Sequence, residues 1–290
     1  MKTIPVGLAA DYAAGAAMWA YALRIERTDA TVYRMTSFDR DMTITAQVYS
    51  AAQGLDVSGI ATSAGFNVDN LELTTADDGS VFTHADILSG RWKGSTFQIM
   101  RLNPLAPANG VEVLMTGQFG EITIGQATIK AELLGLQVWL QQPIGNNSTK
   151  TCRANFADFP AANQNNRCRL TAATYTFTAT VTAVTSNQIF TAAALVQAAD
   201  YFGAGVLTWT SGLNSGLVVQ VQAHAAGGVI TLPLAMFNTV QIGDTLSIVA
   251  GCRKRMNEDC SGKFSNQLNF QGEPHRPTTD DLTAAAEPDA

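Results

Sequence analysis

The chain has 290 residues, a formal net charge of −6, and 14% charged against 46% apolar residues. That length allows two or three compact domains, each with its own core, and the negative balance argues against nonspecific binding along a nucleic-acid duplex. So few charges, with abundant Ala, Thr, Gly, Val and Asn, fit a β-rich protein whose surface is used up in assembly better than a helical enzyme.

The opening segment "VGLAADYAAGAAMWAYAL" is Ala-rich, but Asp11 and Gly15 interrupt it, so it does not read as a membrane span. It also lacks the Leu-rich run and cleavage site of a signal peptide, which implies synthesis in the cytoplasm, where thiols stay reduced. From Leu23 the pattern turns to a period of two, with Leu23 and Ile25 alternating with Arg24 and Glu26. Asp29 marks a hairpin turn before "TVYRM", and Asp39 to Asp41 mark another before a strand over "TITAQVY". Further strands are predicted in "FNVDNLELTT", "STFQIMRLN", "VEVLMTGQFGEITIG" and "ATIKAELLGLQVWLQQP", with a short helix around Thr83–Leu88.

The polar stretch "IGNNSTKTCRANFADFPAANQNNRCRL" breaks this meander, and strands resume in "ATYTFTATVTAVTSNQIFTA" and run to "TVQIGDTLSIVAG". The fold class read from this pattern is mainly β, with two barrel- or sandwich-like domains. They span residues 1–146 and 147–276, followed by an acidic, low-complexity tail over 277–290.

The four cysteines fall into two local pairs, Cys152 with Cys168 and Cys252 with Cys260, separated by fifteen and seven residues. Neither gap matches the two-to-four-residue spacing of a zinc knuckle, and no Cys-x-x-Cys redox motif is present. Wide gaps suit a larger centre, and four cysteines are the usual complement of an iron–sulfur cluster. Lys150, Arg153, Arg167, Arg169, Arg253, Lys254, Arg255 and Lys263 are eight of the 18 basic residues and lie in or beside these segments. Their charge would ease burial of an anionic thiolate-held cluster. The residues alone rank an iron–sulfur cluster first, zinc second, and disulfides or unligated thiols third.

Nothing else carries chemistry. His84, His224 and His275 are scattered and read as surface or interface residues. Ser211 in "TWTSGLNSG" is not in a nucleophile elbow. Asp39, Asp41, Asp77 and Asp78 read as turn and strand-end residues. No phosphate loop or dinucleotide fingerprint occurs, so no enzyme is expected.

Several phrases together resemble the hub proteins of phage and prophage tail tips, typified by the hub of the gene transfer agent and more distantly similar to the minor tail protein L of phage lambda. They are "WAYALRIERTDATVYRMTSFDRDMTI", "DILSGRWKGSTFQI", "TGQFGEITIGQATIKAELLGLQVWLQQPIG", "CRANFADFP", "GVLTWTSGLNSGLVVQVQAH", "VQIGDTLSIVAGC" and "CSGKFSNQLNFQGEPHRP". The resemblance implies a structural virion protein in the tail tip or baseplate, assembled as a homotrimeric ring. Such a ring contacts the distal tail protein ring and the central tip protein and lines the DNA ejection path. It also implies an iron–sulfur cluster, the four-iron form first and zinc as runner-up, on Cys152, Cys168, Cys252 and Cys260. The chain departs from the family in three places. The insertion "FPAANQNN" widens the first cysteine pair, Phe38 stands where relatives carry a histidine, and Glu273 replaces an aromatic residue between Gly272 and Pro274. Two rival classes remain, a disulfide-stapled receptor-binding module and a metal-dependent hydrolase of the cell envelope.

Overall fold

The computed structural model describes residues 4–15, 18–51, 56–57, 70–76, 79, 81–125, 128–141, 145, 147–158 and 168–277. Asp77, Asp78, Arg167, the insertion over 159–166 and the tail from 278 lie outside the described residues. The chain divides into two compact units, Met1–Pro143 and Ile144–Ala290; the break expected from sequence stands at 146/147. No helix among the described residues is long and apolar enough to cross a membrane.

The first unit opens with helix α1 (Val6–Ala14), which follows Pro5 and ends where Gly15 takes a left-handed φ of 65°. Its Asp11 accepts two hydrogen bonds from Asn109 Nδ2, at 3.1 and 2.9 Å. Tyr12 stacks on Trp19, and Arg101 lies over both rings while pairing with Glu112 at 2.9 Å. Nine strands follow: β1 (Ala20–Glu26), β2 (Val32–Thr36), β3 (Met42–Ile44), β4 (Gln47–Tyr49), β5 (Asp56–Val57), β6 (Asn70–Ala76), β7 (Thr96–Leu102), β8 (Glu112–Ile124) and β9 (Thr128–Gly135). Seven of them form one antiparallel sheet in the order β2-β1-β7-β8-β9-β6-β5, and β3 and β4 form a separate hairpin.

Both faces of this sheet are packed. Leu23 and Ile25 of β1 point into a core with Trp92, Phe97, Ile99 and Phe119, while Ala20 and Ala22 face Met42, Ile44, Tyr49 and Leu102. The turn expected at Asp29 closes β1 onto β2, with Asp29 Oδ1 accepting from the Thr31 amide at 3.0 Å. Asp29 also accepts from buried Arg27, and that hydrogen bond holds its pKa at about 2. The short helix α2 (His84–Leu88) forms where expected, because Thr83 Oγ1 accepts from the Asp86 amide at 3.1 Å. "TITAQVY", by contrast, is not one strand. It bends at Thr45 and Ala46, whose φ values are 49° and 61°, into the two-residue hairpin between β3 and β4. Neither residue type favours positive φ, so no Gly or Asn advertised the turn.

The second unit carries two four-stranded sheets built from β10 (Thr176–Thr180), β11 (Ala183–Val184), β12 (Ile189–Thr191), β13 (Val206–Trp209), β14 (Val218–Gln220), β15 (Ala223–Ala225), β16 (Val229–Thr231) and β17 (Thr245–Val249). Their orders are β10-β17-β13-β14 and β11-β12-β16-β15. One core lies between them, centred on Phe190, Phe202, Leu207, Trp209, Ile230, Leu232, Leu246 and Ile248. Burying each such side chain contributes about 1.5–3 kcal/mol, which lets short strands hold a stable barrel.

His224 on β15 is inside this core, 3% exposed, edge-on to Phe202 with ring centroids 4.9 Å apart. Neither ring nitrogen has a hydrogen-bond partner. Burial lowers its pKa below the ordinary 6.5; the nearby backbone of Ala198 and Leu195, which is not in hydrogen-bond geometry, and the charge of Asp200 pull the other way without prevailing. The folded state therefore binds this proton less readily than the unfolded chain does. Stability from the neutral ring is present above about pH 6.5 and is lost as pH falls through the folded pKa. Melting of the second unit, followed by tryptophan fluorescence in a background where Trp19, Trp92 and Trp139 are replaced by Phe, should drop in midpoint between pH 7.5 and 5, and His224→Leu should flatten that dependence.

Candidate cysteine-ligand site

β17 ends at Val249, and Ala250 and Gly251 carry the chain out of the barrel to Cys252. The exit is fixed by backbone contacts. The Ala250 amide donates to the Tyr175 carbonyl at 2.9 Å and the Gly251 amide to the Tyr201 carbonyl at 3.0 Å. Gly251 lies so close to Gly203 that a Cβ there would overlap the Gly203 carbonyl oxygen. Only glycine fits at this point.

Past Cys252 the chain makes a single π-helical turn, Met256–Ser261, in which the Cys260 amide reaches back to the Arg255 carbonyl at 3.0 Å. π-turns of this kind concentrate at functional sites. The closing segment then pairs with the first cysteine segment: Arg153 N–H donates to the Gln271 carbonyl at 3.1 Å, and Glu273 N–H to the Thr149 carbonyl at 2.9 Å. The Cys152 amide donates to the Lys254 carbonyl at 2.9 Å. Residues a hundred positions apart are thereby woven into one clasp.

All four cysteines are free thiols and line one cavity, together with Phe156, Leu170, Lys254, Phe264, Asn266 and Asn269. Cys168 and Cys260 are buried, whereas Cys152 and Cys252 are partly exposed. Phe156, Tyr175 and Phe264 form an aromatic wall, with ring centroids 4.5 to 5.6 Å apart. The cavity is about 10 Å³, the room of a single water. Among the described residues no three His, Cys, Asp or Glu side chains form a group that could hold a metal ion as they stand.

Polar groups are already aimed at the sulfurs. Asn266 Nδ2 donates to the Cys168 carbonyl at 2.7 Å and lies 3.4 Å from its Sγ, and the Gln271 amide donates to Cys152 Sγ at 3.4 Å. The Cys260 thiol donates to the Asn266 carbonyl at 3.1 Å. Burial and the three neighbouring cysteines push the Cys260 pKa up to about 11, and burial raises that of Cys252. Four backbone positions around the clasp, Ala157, Arg169, Lys254 and Ser265, hold positive φ without being glycine. Strain of this kind persists where the surrounding structure over-determines it, as at ligand clamps.

The structure thus brings together the four cysteines singled out from sequence, but it redistributes the basic residues around them. Arg153 pairs with Glu273 at 2.8 Å, Arg253 with Asp200, and Arg255 with Glu258 and Asp259. Among the described residues, Lys254 is the one basic side chain that lines the cavity, and its Nζ donates to the Ala154 carbonyl. Glu273 is explained by this network: it accepts from Arg153, from Ser148 Oγ and from the Thr149 amide, a salt-bridged turn in place of an aromatic one. Phe38 packs against the core around Met42 and Leu102 as an ordinary apolar residue. No histidine lines the cavity, and Ser211 serves as a hydrogen-bond partner of Thr245. Asn266 was not singled out from sequence; only its place at the head of "NQLNF", six residues after Cys260, could have drawn attention to it.

Three comparisons bear on identity. Residues 5–171 match the family model described as baseplate hub protein, N-terminal attachment domain, and residues 200–280 match that of the phage conserved hypothetical protein BR0599. A chain from the solved structure titled "Virion of native gene transfer agent (GTA) particle" superposes with a TM-score of 0.85 at 28% identity, covering 98% of this chain and 96% of that one. No curated protein matches.

Asn266→Ala should destabilise the second unit by about 1–3 kcal/mol, because it leaves the buried Cys168 groups without their donor. Urea unfolding of the metal-free protein would measure it.

Proposed function

This chain belongs to the baseplate hub protein family, and from that premise we propose that it is a structural hub subunit of a phage-like tail, closed into a three-fold ring. The ring would join the tail tube and distal tail ring to the central tip protein and surround the path of ejected DNA. The observation that carries this reading is the near-complete superposition, over 98% of the chain, on a chain of a gene transfer agent virion. The location that goes with it is the virion tail or baseplate. No catalytic role is part of the proposal, and the histidines and Ser211 supply no arrangement that would ask for one.

Within the hub, the clasp is proposed to hold an iron–sulfur cluster on Cys152, Cys168, Cys252 and Cys260. The donor set fits: four thiols and no imidazole around one apolar cavity, with N–H groups directed at two of the sulfurs, as thiolate-held clusters use. When bound, such a centre supplies four covalent tethers and an electron-accepting core. The chain's own residues orient the sulfurs, exclude water through Phe156 and Phe264, and offset negative charge through Lys254. Tethering segments a hundred residues apart closes a long loop, where a clip restricts the unfolded chain most. The cluster's role in this reading is to brace the fold.

Anaerobic purification followed by visible absorbance and by iron, acid-labile sulfide and zinc assays tests the clasp. Matched iron and sulfide are expected. Stoichiometric zinc would replace the cluster by a zinc site, and oxidised thiols without metal would favour a disulfide-stapled module. Cys260→Ser should lose the cofactor and lower the melting temperature of the loaded protein; an unchanged melting temperature would contradict bracing. Electron microscopy of tails assembled with and without the chain tests the ring.

A further inference from the structure

Lys263 follows Cys260 by three residues and leaves the π-turn pointing at the barrel rather than at solvent. Its Nζ donates to the Gly251 carbonyl at 2.7 Å, to the Tyr201 carbonyl, and to the Asp200 carbonyl at 3.3 Å. Three acceptors take up the three ammonium protons. The faces of Tyr201 and Phe264 complete the cage, with ring centroids 4.9 and 5.2 Å from the nitrogen.

Each contact has a consequence for the sulfurs. Gly251 immediately precedes Cys252, and its own amide donates to the same Tyr201 carbonyl. Phe264, the residue after Lys263, belongs to the aromatic wall of the cavity. Asp200 and Tyr201 belong to the barrel segment that runs into core residue Phe202. One ammonium therefore joins the strand exit that carries Cys252, the turn that carries Cys260, and the barrel itself. Arg253, next to Cys252, adds a second attachment to the same segment by pairing with the Asp200 carboxylate.

We propose that Lys263 is the positioning residue of the clasp, fixing Cys252 and Cys260 relative to each other and to the barrel before any cofactor arrives. The proposal rests on reading the clasp as a cofactor site. It makes the second cysteine pair a preformed half-site, whose geometry is set by hydrogen bonds rather than by the metal.

Lys263→Met keeps the length and apolar stem but removes the donors and the charge; Lys263→Gln returns two donors. In the metal-free full chain, amide hydrogen exchange by mass spectrometry should show protection over 251–264 reduced at least tenfold in Lys263→Met. Protection should be partly restored in Lys263→Gln, with peptides from β13 and β17 unchanged. In the loaded protein, the half-life of bound iron against a chelator should shorten by a similar factor. Unchanged protection over 251–264, or equal loss in β13 and β17, would overturn the proposal. If Lys263→Met fails to fold, as complete loss of exchange protection in β13 and β17 would show, the same criteria apply to Lys263→Gln against the wild type. A wild-type chain without iron or zinc would sink the cofactor reading, while the exchange comparison would still decide the role of Lys263.

Discussion

The second unit depends on a close approach of two backbones, Gly251 against Gly203, at the point where β17 leaves the barrel. Because no side chain intervenes, the Gly251 amide and carbonyl sit within reach of the Tyr201 carbonyl and Lys263. Cys252 therefore leaves the barrel in one direction only. The π-turn, the aromatic wall and the pairing of residues 148–153 with 271–276 are all built outward from that exit. An apolar core on one side and a strained, polar clasp on the other meet there, with Lys254 and Ser265 held at positive φ.

The clasp shows how charge and burial share the work around thiols. Protonated, three of the four cysteines find local partners: Cys260 donates to a carbonyl and Cys168 and Cys152 accept N–H groups, while desolvation favours the neutral thiols of Cys252 and Cys260. A centre that takes up four thiolates would replace those protons, and the N–H donors already present would then serve the sulfurs as charge-assisted partners. Arg153, Arg253 and Arg255 bind carboxylates, so among the described residues the positive charge that reaches the cavity is carried by Lys254.

The low charge of the barrel fits a hub family member working inside an assembly. Between Thr171 and Gly251 the acidic residues are Asp200 and Asp244, and neither Lys nor Arg occurs. Asp244 is buried and Asp200 is paired with Arg253. Such a surface has little to repel a neighbour, and interface cores are depleted in charge for the same reason.

The sequence by itself determined the local structure. Period-two alternation placed β1, β7, β8 and β9, Asp29 and Thr83 announced a turn and a helix start through their own hydrogen bonds, and the four cysteines were visible as two pairs. These features depend on neighbours within a few residues, which is what a linear pattern records. The hairpin at Thr45 and Ala46 escaped it, because positive φ was imposed there by the pairing of β3 with β4 rather than by residue type. The meeting of Cys152 and Cys168 with Cys252 and Cys260, the role of Asn266, the sorting of arginines from lysines and the cage around Lys263 were decided only by tertiary structure. Most of these depend on contacts between segments fifty to more than a hundred residues apart, whose encounter is set by how the barrel folds and leaves no trace in local spacing.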